Sequence, residues 1–138
     1  MKYKGKIGLW WFVLIILFNI FIGYITYITY VSGSSTWVLI LNIAIALITN
    51  IFIIPFTINN YVTLELDKLI IHFGFFKTHI AYSDILSLEE TKSPIAGSAL
   101  SFDRIMITTK QSKAIISIKN KKQFIEEIIK HNTNVQYK

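Results

Sequence analysis

The sequence predicts a membrane-embedded helical hairpin followed by a mainly-β (α+β) domain of antiparallel strands closed by one C-terminal helix. Three observations predict it. Residues 7–64 contain no Asp, Glu, Lys, Arg or His, and all 8 acidic residues fall within 65–127. After Asn59-Asn60, apolar and polar residues alternate with period two, as half-buried antiparallel strands require. After Asn120 the period lengthens to that of an amphipathic helix.

The hairpin comes first. A chain of 138 residues accommodates an anchor and one small domain. The uncharged run divides into spans at 9–31 and 37–58, separated by the short polar turn Ser32-Gly33-Ser34-Ser35-Thr36. Each span is long enough to cross a ~30 Å hydrocarbon core, and so short a turn makes the two helices antiparallel neighbours. Trp10, Trp11, Tyr24, Tyr27, Tyr30, Trp37 and Tyr61 mark two aromatic belts. Lys2, Lys4 and Lys6 precede the first span, the turn has no cation, and the remaining 11 (14 − 3) Lys and Arg follow the second. Positive flanks stay inside, so the expectation is a multi-pass cell-membrane protein with both termini cytoplasmic. A cleaved signal peptide competes for the first span, with small residues at Val31-Ser32-Gly33. That run exceeds the ~7–15 apolar residues of a signal, and the second span would anchor the chain regardless. Asn19, Asn42 and Asn50 are the amides within the spans. They are expected to make intramembrane polar contacts, either between the two helices or to a partner helix or peptide. Pro55 is expected to kink or finish the second helix.

The β domain follows. Strands are expected at 61–66, 69–73, 77–82, 86–91, 104–109 and 114–118, with Val62, Leu64 and Leu66 on one face of the first and a tight turn at Asp67-Lys68. Asn120 and Gln123 suit a capping box. Phe124, Ile125, Ile128 and Ile129 form the apolar stripe of the closing helix, which must cover an open end of the sheet. Residues 1–60 are thus assigned to the hairpin, 61–131 to the β domain and 132–138 to a flexible tail.

The ordered set of Ile80-Ala81-Tyr82-Ser83-Asp84-Ile85, then Glu89-Glu90-Thr91-Lys92-Ser93-Pro94, then Ala99-Leu100-Ser101-Phe102-Asp103-Arg104-Ile105, then the helix at 121–129, resembles a bacterial pleckstrin-homology-like (PH-like) domain. This is the group of membrane proteins that includes the sublancin immunity protein. The resemblance implies a bent antiparallel sheet or partly open barrel plugged by the C-terminal helix. It implies seven strands where the alternation supplies six. It also implies no catalytic activity and, for the immunity member, protection of the producer from a peptide bacteriocin.

Composition removes other classes. No cysteine is present, which excludes disulfides, thiolate metal sites and cysteine nucleophiles. No phosphate-binding Gly-rich loop, HExxH or supported Ser-His-Asp order occurs. His72 and His79 could face each other across a hairpin, but no third metal ligand accompanies them. The net charge of +6 comes from scattered lysines rather than a basic stripe, so nucleic acid is not an expected partner, and neither is a cofactor or a metal. Candidate partner-binding residues are Lys92, Ser93, Pro94, Ser98 and Ser101 in the 92–101 loop, with Asp103 and Arg104 at its exit. The plain alternative for Asp103-Arg104 is an ion pair or loop anchor, with Glu89 and Glu90 as partners for Arg104. Phe75 and Phe76 are expected in core packing rather than in lipid. The Asp67-Lys68 turn is too short to form a basic phosphoinositide pocket.

The expected function is a nonenzymatic, membrane-anchored PH-like binding module, with bacteriocin self-immunity as its specific form. The alternative is a cytoplasmic-face scaffold or regulatory adaptor that recruits a protein partner or anionic lipid. Expected partners are the lipid bilayer, a protein or peptide, nonspecific anionic lipid and a second copy in a homo-oligomer.

Overall fold

A computed structural model describes residues 1–92 and 99–138. The apolar stretches form α1 (Leu9–Val31) and α2 (Thr36–Ile58), each of 23 residues and about 35 Å long. Both are long and apolar enough to cross a membrane, and neither contains a buried residue. Their pairing is antiparallel. The Trp11 indole donates to the Thr57 hydroxyl at 2.9 Å near one end, and the Asn42 amide donates to the Thr29 hydroxyl at 3.2 Å towards the other. α2 runs one turn past Pro55, because the missing N–H falls near the helix end and the Asn59 N–H still reaches the Pro55 carbonyl at 2.7 Å.

The β region forms two four-stranded sheets. The first contains β1 (Lys2–Lys4), β2 (Asn60–Leu64), β3 (Lys68–Phe73) and β4 (Phe76–Ala81), all antiparallel and adjacent in that order. A 3-10 turn (Tyr82–Asp84) leads to β5 (Ile85–Thr91), then β6 (Arg104–Thr109) and β7 (Lys113–Ile116). The second sheet has the order β7-β6-β5-β8, with β8 (Gln136–Tyr137) parallel to β5. Main-chain bonds from Lys6 N–H to the Ser117 carbonyl (2.9 Å) and from Lys119 N–H to the Lys4 carbonyl (3.1 Å) join β1 to the continuation of β7. The sheets therefore close along that seam into a bent, partly open barrel.

Alternation buries Val62, Leu64, Leu69, Ile71, Ile80, Leu88, Ile105, Ile107 and Ile116 between the sheets. The last helix, α3 (Lys121–His131), lays Phe124, Ile125 and Ile128 over the open end. Tyr3 meets the Phe124 ring edge-on at 5.4 Å. At the far end of α3, Tyr82 stacks on His131 at 4.5 Å and its phenol donates to the Glu65 carbonyl. Burial, reinforced by Asp67 and Glu127, pushes that phenol up to about 12, so it remains a neutral donor.

Several details differ from expectation. Phe75 and Phe76, expected in the core, are 58% and 67% exposed. Lys2–Lys4, expected only as a basic flank, is a strand whose central residue Tyr3 is in the core. It adds a strand to the six expected, as β8 does, and the apolar hairpin is consequently inserted between β1 and β2. Leu66, expected inward, is 93% exposed, because the Glu65 N–H bonds the Lys68 carbonyl and turns the chain at Leu66-Asp67. Asn120 makes no side-chain cap. The C-terminal residues are not a frayed tail: Asn132 donates to the Tyr82 and Ile85 carbonyls, Val135 is buried, and Lys138 N–H bonds the Leu88 carbonyl.

If β1 completes the sheet, residues 60–138 alone should lack a cooperative thermal transition by far-UV circular dichroism. Replacing the segment between Ile7 and Asn59 with a short Gly-rich turn should restore one, because β1 and β2 are already antiparallel neighbours.

Candidate functional site

The site is built where the hairpin leaves the barrel. The chain returns from the β5–β6 connection through Ala99 and Leu100, both buried. The Leu100 carbonyl accepts the Gly8 N–H at 2.8 Å, which ties the connection to the first turn of α1. Ser101 then wraps the exit. Its hydroxyl accepts the Asp103 N–H at 3.3 Å, and its carbonyl accepts Arg104 Nε at 2.7 Å. Arg104 is only 4% exposed, and its guanidinium lies 5.6 Å from the centre of the Phe102 ring. It thus braces the loop exit from beneath. The Asp103 carbonyl accepts the Ser117 hydroxyl at 2.6 Å.

This framework turns Phe102 outward, half exposed and 5.5 Å from the Trp10 ring. A cleft of about 560 Å³ opens there, lined by Gly8, Leu9 and Trp10 on the α1 side and by Lys92, Ser101, Phe102 and Asp103 on the other. Three sequence candidates, Lys92, Ser101 and Asp103, therefore share one cleft, with Arg104 behind it. Ser93, Pro94 and Ser98 lie outside the described residues. Trp10 and Phe102 were not legible as site residues. Trp10 carried only the general signal of an interfacial aromatic, and Phe102 had no partner visible in sequence.

A charged network adjoins the cleft at Asp103. Asp103 accepts hydrogen bonds from Lys6 at 2.7 Å and from Lys121, and Lys121 also bonds Glu90 at 2.8 Å. Glu90 in turn accepts the Tyr137 hydroxyl at 2.6 Å. Five elements or their flanks are joined: the exit of β1, the start of β6, α3, β5 and β8. Lys121 and then Lys6 hold the Asp103 carboxyl below its usual range, and Lys121 and then Tyr137 do the same for Glu90. Burial alone would lower the Lys121 ammonium, but its bonds to Asp103 and Glu90 hold it above the ordinary value. Asp103 and Glu90 are thus engaged by lysines and a tyrosine, an arrangement that sequence order does not reveal.

The intramembrane amides are placed as follows. Asn19 and Asn50 exchange reciprocal amide bonds at 3.3 and 2.9 Å, and each also donates to the carbonyl four residues earlier in its own helix. Asn42 lies nearer the turn, on Thr29. His72 is opposite Lys77, and His79 is opposite Ile70, so the two imidazoles do not face one another. His72 stacks on Tyr61 at 4.3 Å, and burial followed by Lys77 and Lys2 lowers its pKa. Among the described residues no group of three or more His, Cys, Asp or Glu could hold a metal ion.

A family model described as a bacterial PH domain matches residues 60–132, the stretch from β2 through the end of α3. No curated protein matches the chain.

Lys121→Met keeps the aliphatic stem while removing the charge that two carboxylates share. It should lower the stability of the detergent-solubilised chain by about 1–2 kcal/mol in denaturant titration. A carboxyl held low in the folded state contributes stability above its unfolded pKa and loses it as pH falls through the folded value. Acidification below the ordinary carboxylate range should therefore destabilise the chain. Asp103→Asn should show a smaller drop in thermal midpoint between neutral and acidic pH.

Proposed function

Since the chain belongs to the bacterial PH domain family, we propose that it is a nonenzymatic binding module anchored in the cell membrane by its own hairpin, with both termini in the cytoplasm. PH-like domains are typically binding modules rather than enzymes. The anchoring is supported by two adjacent helices whose apolar side chains are exposed along their whole length, a surface far larger than a soluble monomer leaves to water. The orientation is supported by the distribution of Lys and Arg.

The observation that carries the reading is the position of the cleft. Trp10 and Phe102 line it at the junction of the hairpin and the barrel, and Gly8 is bonded to Leu100 beneath it. A protein or peptide segment bound there would be held beside the bilayer. Aromatic side chains at such a junction supply large contact area at low entropic cost. The connection between the first two strands is the hairpin itself.

Bacteriocin self-immunity is the specific form of this role, and a scaffold or regulatory adaptor is the general one. A photoreactive residue at Phe102 should yield a reproducible crosslinked protein or peptide in cells, and the same residue at exposed Leu66 should not. Adducts of equal pattern from both positions would remove the cleft from the reading. Deleting the gene and challenging with the cognate bacteriocin separates the two forms: raised sensitivity marks immunity, and unchanged sensitivity leaves the adaptor.

A further inference from the structure

We propose that the β3–β4 turn, from Phe73 to Phe76, is a wedge that inserts into the headgroup–acyl boundary of the bilayer and fixes the orientation of the barrel on the membrane. The proposal rests on the hairpin being membrane-spanning. β2 leaves the foot of α2 and runs away from it, and β3 returns, so the turn at Gly74 is brought back against the helix. Gly74 N–H bonds the Asn59 carbonyl at 2.9 Å, and the Asn59 side-chain amide donates to the Gly74 carbonyl at 3.3 Å. Gly74 has φ of 61°, and a Cβ there would sit 2.5 Å from the Phe56 ring. A turn at positive φ packed this closely against a ring of the helix favours glycine.

The turn does not stop at the helix end. The Phe56 ring lies 5.0 Å from Phe73, 6.1 Å from Phe75 and 6.3 Å from Phe76, and the Phe52 ring is 5.9 Å from Phe75. Phe52 is six residues before the end of α2, about 9 Å along its axis. The Phe75 ring therefore lies alongside the apolar helix, at the depth where its lipid-facing surface begins. Phe75 is 58% and Phe76 67% exposed, so neither is in the core. Their outer faces continue the exposed apolar surface of α2.

Charge favours lipid as the occupant. From Lys68 to Ser83 there is no Asp or Glu, and Lys77 directly follows the aromatic pair. An apolar tip followed by a cation and free of carboxylates suits an anionic bilayer surface, with the rings among the acyl chains and the ammonium among the headgroups.

The chain has no cysteine, so single-cysteine variants of the full protein accept one fluorophore each. Phe75→Cys, Leu66→Cys and Leu47→Cys, labelled with NBD, are reconstituted into vesicles of phosphatidylcholine and phosphatidylglycerol. Emission is quenched by aqueous iodide or by lipid carrying nitroxides at both a shallow and a deep acyl position. Leu66 is at the opposite end of β2, 93% exposed, and serves as the water control; Leu47 is mid-helix. The label at 75 should lose emission to the lipid quencher and be shielded from iodide, while the label at 66 shows the reverse. Quenching of 75 by iodide, or shielding of 75 from both quenchers as under a protein cover, with 47 still quenched by lipid, overturns the wedge alone. A label at 47 that the lipid quencher does not reach overturns the membrane-spanning reading, and the wedge with it.

Discussion

Antiparallel pairing of Lys2–Lys4 with Asn60–Leu64 is the constraint on which the rest depends. It brings together two segments separated by the entire apolar hairpin, and so makes both ends of that hairpin part of one sheet. Paired strands run about 4.8 Å apart, whereas packed helices keep their axes about 8–10 Å apart. The chain absorbs the difference unequally. α2 passes into β2 through Asn59 alone, and β1 reaches α1 through Gly5-Lys6-Ile7-Gly8. Gly5 is held by its N–H to the Asn60 carbonyl at 2.7 Å, and a Cβ there would fall 2.3 Å from the Asn60 side chain. Two covalent connections, one of a single residue and one of four, tie the barrel to its anchor.

The same seam explains the placement of charge. Lys6 leaves β1 beside Asp103, and Lys121 begins α3 beside both Asp103 and Glu90. Most of these groups are well exposed, so each pair contributes modestly. Their value lies in arrangement, since one aspartate is shared between a lysine that precedes the hairpin and one that opens the closing helix. The loop exit, the barrel plug and the anchor are thereby referred to a common point. The Trp10–Phe102 cleft lies directly beside it.

The aromatic residues divide by location rather than by type. Tyr3, Tyr82 and Phe124 complete the core. Trp11 clasps the hairpin through Thr57, Trp10 and Phe102 line the cleft, and Phe52, Phe56, Phe73, Phe75 and Phe76 cluster where the sheet meets α2. Side chains that are apolar at one end of their surroundings and wet at the other suit a boundary between lipid and water. The exposed rings on this barrel cluster where its anchor emerges.

The two apolar helices, the order of six strands and the closing helix were legible in the sequence, because each depends on local periodicity or on the length of an uncharged run. The PH-like resemblance was legible for the same reason, since its motifs are short contiguous runs of sequence. β1 was not, because three residues reading Lys-Tyr-Lys carry no strand pattern of their own. Only a partner 59 positions away, Val62 facing Tyr3, gives them one. The C-terminal strand was hidden likewise, its pairing with β5 being made after the chain has traversed α3. Lys92, Ser101 and Asp103 could be proposed from loop position alone. That Trp10 and Phe102 complete their cleft, and that Lys6 and Lys121 share Asp103, was decided by tertiary structure. The physical reason is that solvent preference and backbone period are properties of short segments, whereas contact between distant side chains exists only once closure of the sheet fixes where the segments meet.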